Sequence, residues 1–195
     1  MEQIAQGAEA KLYRDGDAVI KDRFTKAYRH PVLDKTLRES RTKREAVIIK
    51  KLTGIAPDLI HEQKSQLRMR FIEGTLVKDA LDANPALARQ VGNLLAKLHE
   101  KNIIHADLTT SNMILKPDGT ITLIDFGLSF ISHRLEDRAV DIHLFRQAIE
   151  SKHVHVWTDA YTQFLNGYKE ASPDAPSVLD RLKIVETRGR NKQSY

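Results

Sequence analysis

Three oxygen-bearing side chains define the chemistry open to this chain. Asp107 stands five positions before Asn112, and Asp125 follows thirteen positions later, at the end of an apolar run. A carboxylate such as Asp107 can orient an attacking hydroxyl or water, or accept its proton. An Asn and an Asp can hold a magnesium ion that bridges nucleotide phosphates, because hard oxygen ligands in an incomplete protein cage suit that ion. The pattern points to phosphoryl transfer from a nucleotide. His105 is read as a prop for the loop that carries Asp107. A zinc site would need partners at ligand spacing, and none are evident.

The spacing His105-x-Asp107-x4-Asn112, with Asp125-Phe126-Gly127 behind it, matches the catalytic loop and magnesium signature of protein kinases. Lys21, at the end of Ala18-Val19-Ile20, then resembles the kinase strand lysine that meets the α and β phosphates. A Glu from the following helix should face inward and pair with it. Glu45 is the expected partner, with Glu39 as the competitor. A phosphate-covering loop is expected at Gln6-Gly7-Ala8-Glu9-Ala10, where one glycine and small side chains let backbone amides approach phosphate. Met69-Arg70-Phe71-Ile72 is the expected hinge, with backbone facing an adenine edge and Met69 lining its pocket.

These groups must be carried by a small scaffold. The chain has 195 residues, 41% of them hydrophobic, enough for one ordinary domain or two small lobes. Cysteine is absent, which excludes disulfides and thiolate metal sites. No apolar run approaches a membrane span, and the N-terminus lacks a signal-peptide pattern, so no membrane role and a cytoplasmic location are expected. The net charge is +5, but residues 21–51 alone carry a balance of +7 and residues 181–195 one of +4. Such segregation suggests a surface facing a polyanion or an acidic partner.

Residues 1–20 read as a β-hairpin turning at Asp15-Gly16-Asp17. Residues 34–53 read as a helix, basic on one side, ended by Gly54 and Pro57. Two strands are expected at 58–62 and 66–72, and Glu73-Gly74 marks a boundary. Asn84-Pro85 should open a helix as N-cap and first helical residue, with Leu87, Val91, Leu94, Leu95 and Leu98 on its core face. Strands at 113–115 and 121–124 flank a Pro117-Asp118-Gly119 turn. Trp157, Ala160, Tyr161, Phe164, Leu165 and Tyr168 form a second core stripe. A short helix is expected at 177–187.

With these residues placed, the chain resembles the small atypical kinase subunits of the KEOPS (EKC) complex over essentially its whole length. The likeness rests on the Gln-Gly-Ala-Glu-Ala loop and on the Thr109-Thr110-Ser111 insert of the catalytic loop. Asp125-Phe126-Gly127-Leu128-Ser129, the run from Glu136 to Asp141, and Arg188-Gly189-Arg190 complete it. Related RIO and sugar-kinase families share the His-x-Asp-x4-Asn core but lack this combination.

The resemblance implies an α+β, minimal bilobal protein-kinase-like fold. Its β-rich lobe with one main helix would span 1–72, its mostly helical lobe 73–187, and a basic mobile tail 188–195. It implies ATP and Mg2+ as cofactors, Asp107 as the catalytic residue, and Asn112 and Asp125 as metal ligands. Nucleotide contacts would come from Gln6, Gly7, Ala8, Glu9, Ala10, Lys21, Glu45, Met69, Arg70, Phe71 and Ile72. It further implies an atypical Ser/Thr kinase acting mainly as an ATPase in the KEOPS complex, which supports threonylcarbamoyladenosine formation on tRNA. The partners would be the threonylcarbamoyl-transferase subunit and a small regulatory subunit, with tRNA met directly or through the complex by Arg188, Arg190 and Lys192.

Three departures from ordinary protein kinases stand out. Ala106 replaces the arginine that reads an activation-loop phosphate, no Ala-Pro-Glu follows, and only 68 residues lie beyond Gly127. The chemistry is kept while the platform for a peptide substrate is reduced. The alternatives are a small-molecule kinase, which would need a larger acidic C-terminal region, and a non-catalytic kinase-like scaffold.

Overall fold

The computed structural model describes residues 1–190, with side chains as far as Arg188. The chain is α+β and divides into two compact units, Met1–Glu73 with Phe126–Leu128, and Gly74–Asp125 with the residues from Ser129 onward.

The first unit is an antiparallel sheet with one long helix. Strands β1 (Glu2–Gln6), β2 (Lys11–Asp15), β3 (Ala18–Asp22), β4 (Leu59–Glu62) and β5 (Gln66–Arg70) lie in the order β1-β2-β3-β5-β4. Residues 1–20 therefore hold more than the expected single hairpin. The chain also reverses at Gly7–Ala10, where the Gly7 N–H donates to the Ala10 carbonyl at 2.9 Å. The second reversal uses Gly16 at φ +63°, a conformation that favours glycine. Helix α1 (Pro31–Ile49) starts earlier than expected, because a proline fits the first turn, where an N–H has no acceptor anyway. It also ends earlier. Lys51 and Leu52 bond back to Ile48 and Ile49 in a tight terminal turn before Gly54 at φ +77°. Ala46, Ile48 and Ile49 are its buried apolar residues, joined by Leu52 just beyond its end, and the helix contacts β4 and β5.

The second unit opens with β6 (Thr75–Leu76) and α2 (Val77–Ala80), followed by α3 (Leu87–Glu100) and β7 (Ile103–Ile104). A 3-10 turn (Thr110–Asn112) leads into β8 (Met113–Leu115), β9 (Ile121–Leu123) and β10 (Phe130–Ile131). Helices α4 (Leu135–Lys152), α5 (Trp157–Ala171) and α6 (Ala175–Arg190) complete it.

Helices α3 and α5 form its main pair. Their backbones come so close that a Cβ on Gly92 would collide with the Phe164 carbonyl, and one on Gly167 with the Arg89 carbonyl. Phe145 of α4 stacks on Phe164 of α5 at 4.3 Å between centroids, closing the core.

Asn84 does not cap α3 as expected. The Asn84 and Pro85 carbonyls accept the Leu87 and Ala88 N–H groups, so a tight turn precedes the helix. Helix α6 runs longer than expected, to Arg190, and so includes Arg188. Among the described residues no helix is long and apolar enough to cross a membrane.

Candidate active site

The loop bearing Asp107 hangs from one buried carboxylate. Asp141, on α4, is fully buried. It accepts the His105 N–H at 2.7 Å on one oxygen and the Ala106 N–H at 2.8 Å on the other. Ala106 is held at φ +64°, where a Cβ is strained. The two bonds to Asp141 fix that bend, and the chain leaves it toward Asp107. The Asp107 N–H then approaches His105 Nδ1 at 3.3 Å, and Ser129 Oγ donates to the His105 carbonyl at 2.9 Å.

Two buried histidines complete this support. His99 Nε2 lies 3.3 Å from Asp141, and its Nδ1 lies 2.8 Å from the Tyr168 hydroxyl. Burial pushes the His99 pKa down, more strongly than the Asp141 carboxylate raises it. Burial likewise pushes His105 down, overriding the charges of Asp141, Asp125 and Asp107. The tyrosine hydroxyl is itself pushed up to about 12 by burial. One bond pattern satisfies the network: Tyr168 O–H donates to neutral His99 Nδ1, and His99 Nε2–H donates to Asp141. Neutral His105 can accept the Asp107 N–H at Nδ1.

This has a consequence for pH. Unfolded histidines take up protons below about pH 6.5, whereas these two resist protonation in the fold. The unfolded state then binds more protons, so stability is full above that pH and falls as pH drops below it. Each resisting histidine contributes a slope of up to about 1.4 kcal/mol per pH unit. The melting temperature should decline between pH 6.5 and 5, before carboxylates titrate. A flat profile there would show that neither histidine stays neutral.

The candidate metal ligands are brought together by a hairpin. Strands β8 and β9 pair Met113 with Leu123, and the Ile124 N–H donates to the Asn112 carbonyl at 2.9 Å. Asn112 therefore lies opposite Ile124, one residue before Asp125. The turn is built by Gly119 at φ +80° and by Asp118, which accepts the Thr120 N–H and hydroxyl. Asn112 Nδ2 donates to both the carbonyl and the carboxylate of Asp107, each at 2.9 Å. Those bonds orient the carboxamide and leave its oxygen for another role. Asp125 is exposed and has φ +61°.

In the first unit, the Lys21 ammonium lies 2.8 Å from Glu45, and both side chains are buried. Glu45, not Glu39, is therefore the partner. The Glu9 carboxylate is bonded by Arg41, and by Arg29 at 3.2 Å, and these guanidiniums hold its carboxyl below the usual range. Gln6, Gly7 and Ala8 are exposed and Ala10 is buried, so the loop's outer backbone is accessible.

The expected hinge segment is partly strand. Met69 and Arg70 still belong to β5, and Met69 is buried. The Arg70 and Phe71 N–H groups are spent on the Asp58 and Asp17 carbonyls, both at 2.8 Å. Phe71 packs under Arg14, whose guanidinium lies 4.1 Å from the ring centroid. Ile72 is half-buried at the edge of the unit.

A family-model comparison matches residues 5–174 to the RIO domain. A subunit named for the EKC/KEOPS complex from Encephalitozoon cuniculi is 42% identical over 97% of this chain and 95% of its own length. A KEOPS complex subunit Bud32 from Pyrococcus abyssi is 34% identical over 99% and 97%. The chain belongs to the RIO domain family, in the Bud32 group. A probable bifunctional tRNA threonylcarbamoyladenosine biosynthesis protein from Methanocaldococcus jannaschii is 39% identical over 96% of this chain, which spans only 36% of that relative.

Two residues that support the catalytic loop of this RIO domain had no site role assigned from sequence. Asp141, the last residue of the run from Glu136, is the first. His153 is the second: buried at the end of α4, its Nδ1 lies 2.8 Å from Asp82 and its Nε2 3.0 Å from Thr110 Oγ1. That bond pins the middle of the Thr-Thr-Ser insert between Asp107 and Asn112. Asp141 sits on α4 and His153 directly follows it, and this helix was not anticipated from sequence. Its signal was present in Ile142, Phe145 and Ile149, buried at roughly helical spacing.

The donor set of the RIO domain fits magnesium. Asn112 and Asp125 offer only hard oxygens. Among the described residues no three His, Asp or Glu side chains form a ready-made cage. An ion completed by phosphate oxygens and water suits that pattern.

The cationic surface is partly spent. Arg38 and Lys50 pair with Asp34 and Glu62. Lys35, Lys43, Arg44 and Lys51 stay exposed on or just after α1, with no ion pair among the described residues. Arg188 lies 2.8 Å from Glu136 on α4. The Arg190 side chain and Lys192 lie outside the described residues.

Proposed function

We propose that this chain is a magnesium- and ATP-dependent atypical Ser/Thr kinase that acts mainly as an ATPase. The observation that carries this is the Asn112 carboxamide, clamped by two bonds to Asp107 and one residue out of register with Asp125. A binding scaffold has no physical need for that arrangement. Asp107 orients the attacking oxygen and takes its proton as the bond to the γ-phosphorus forms and the bond to the departing ADP oxygen breaks. Asn112 and Asp125 hold magnesium, which when bound neutralises phosphate charge. Lys21, steadied by Glu45, meets the α and β phosphates. The exposed backbone of 6–8 covers phosphate, and the carbonyls of 70–72 with the Ile72 N–H meet the adenine edge.

The relatives' names supply the setting. By their likeness, the chain serves a cytoplasmic KEOPS-type assembly that supports threonylcarbamoyladenosine formation on tRNA. Its partners there are a threonylcarbamoyl-transferase subunit and a small regulatory subunit. Lys35, Lys43, Arg44 and Lys51 on the helix surface, with Arg188, Arg190 and Lys192, face the RNA or a partner. The Arg188–Glu136 pair is exposed, so its release for RNA costs about 1 kcal/mol or less.

The test follows the γ-phosphate. ATP labelled there should yield mostly inorganic phosphate, with a minor fraction on protein serine or threonine. Removing 189–195 should leave nucleotide binding intact but weaken tRNA binding, with a shallower salt dependence, since each lost phosphate contact releases fewer counterions. Transfer of the label to a small metabolite would favour a small-molecule kinase, and no turnover at all a scaffold. A truncated chain that matches the full one with tRNA across a salt titration would remove the tail's role.

A further inference from the structure

Glu45 is held by more than the lysine. Lys21 and Arg23 are two residues apart where β3 ends, so extended backbone sends both side chains to the same face. They converge on one carboxylate. Lys21 Nζ is 2.8 Å from Oε1 and Arg23 Nη2 is 2.5 Å from Oε2. Arg23 Nη1 also donates to Thr42 Oγ1 at 3.2 Å, one turn before Glu45 on the same face of α1. The Arg23 backbone is tied separately, through its N–H to the Ser65 carbonyl at 3.0 Å. All four side chains are buried, with relative exposures of 7% for Lys21, 4% for Arg23 and 1% each for Thr42 and Glu45.

Glu45 is thus bonded by two cations, one on each carboxylate oxygen. In a lone pair, a lysine that turns toward phosphate leaves a buried carboxylate uncompensated, which is costly. Here the carboxylate keeps the arginine.

We propose that Arg23 is a positioning residue for the nucleotide. It anchors Glu45 to α1 independently of Lys21 and so frees the lysine ammonium for a phosphate. The inference rests on the reading of Lys21 as a phosphate contact. Arg23 itself touches no substrate in this role, since its guanidinium is enclosed by Thr42 and Glu45.

The bland alternative is that Arg23 only ties β3 to α1. A double-mutant cycle on the full chain separates the two, with magnesium-ATP affinity and melting temperature read together for wild type, Arg23→Met, Lys21→Met and the double variant. Arg23→Met is expected to weaken magnesium-ATP binding about tenfold, as the loss of a charge-assisted bond would. The same change in the Lys21→Met background should cause little further loss of affinity, because the effect passes through the lysine. The melting temperature, by contrast, should drop in both backgrounds. Unchanged affinity in Arg23→Met, or an equal affinity loss with and without Lys21, would overturn the proposal. If Arg23→Met does not yield a folded chain, Arg23→Lys takes its place in the cycle. Coupling to Lys21 is again expected, and additivity again overturns the idea. Failure of the wild-type chain to bind magnesium-ATP is a separate result: it removes the phosphate reading of Lys21, and the inference with it.

Discussion

Asp125→Ala and Asp107→Ala should both abolish ATP turnover, but by different routes. Asp125 is exposed at the end of the β9 hairpin strand, one residue out of register with Asn112. Its loss removes a hard oxygen ligand, so magnesium-nucleotide binding should weaken together with turnover. Asp107 has its carboxylate bonded to the Asn112 carboxamide at 2.9 Å, and in the proposed mechanism it acts on the attacking oxygen. Its loss should lower kcat on the order of 100- to 10,000-fold, the range for general acid–base groups. Magnesium-nucleotide affinity should change little. Equilibrium binding of a fluorescent nucleotide across a magnesium titration, beside single-turnover kinetics, separates the two. Equal affinity losses in both variants would collapse the distinction, and full activity in Asp107→Ala would remove its role.

The second large effect is expected at a residue that touches no substrate. Asp141→Ala leaves the His105 and Ala106 N–H groups without their acceptor and strips His99 of a partner. Each unsatisfied buried donor costs about 1–3 kcal/mol, so a total destabilisation on the order of 3–5 kcal/mol is expected. Turnover should fall as well, because the strained bend at Ala106 loses the bonds that hold it. Asp141→Asn keeps one oxygen and the shape, and should recover part of both losses. Denaturant unfolding and kcat measured on the same samples provide the check. A stable, fully active Asp141→Ala chain would show that the loop is held by something else.

The candidate residues could be picked out because phosphoryl transfer, the chemistry proposed for them, constrains their types and spacing. Asp107, Asn112 and Asp125 lie within nineteen residues, and a hairpin with a clear Pro-Asp-Gly turn joins two of them. The Lys21–Glu45 pair was legible for a related reason, as an acid at the right place on the next helix.

What was hidden came from packing between distant segments. Asp141 acts on backbone N–H groups 35 and 36 residues away, and no local pattern marks an acid for that task. The helix that carries it exposes Val140 and buries Arg138, which blurs its apolar stripe. Arg23 looked like one more cation in a basic segment until strand alternation was set beside Thr42 and Glu45. The Glu9 carboxylate is bonded by Arg29 and Arg41, 20 and 32 residues away, which no local pattern marks. The strand expected at 66–72 stops at Arg70, so Phe71 and Ile72 of the expected hinge lie beyond it.

The most direct test of the central claim is release of inorganic phosphate from ATP by the purified chain, alone and with its complex partners, with magnesium present or chelated. Release should depend on magnesium and disappear in Asp107→Ala and Asp125→Ala chains of wild-type fold. Release that persists in either variant, or no release from the wild-type chain under any of these conditions, would contradict it.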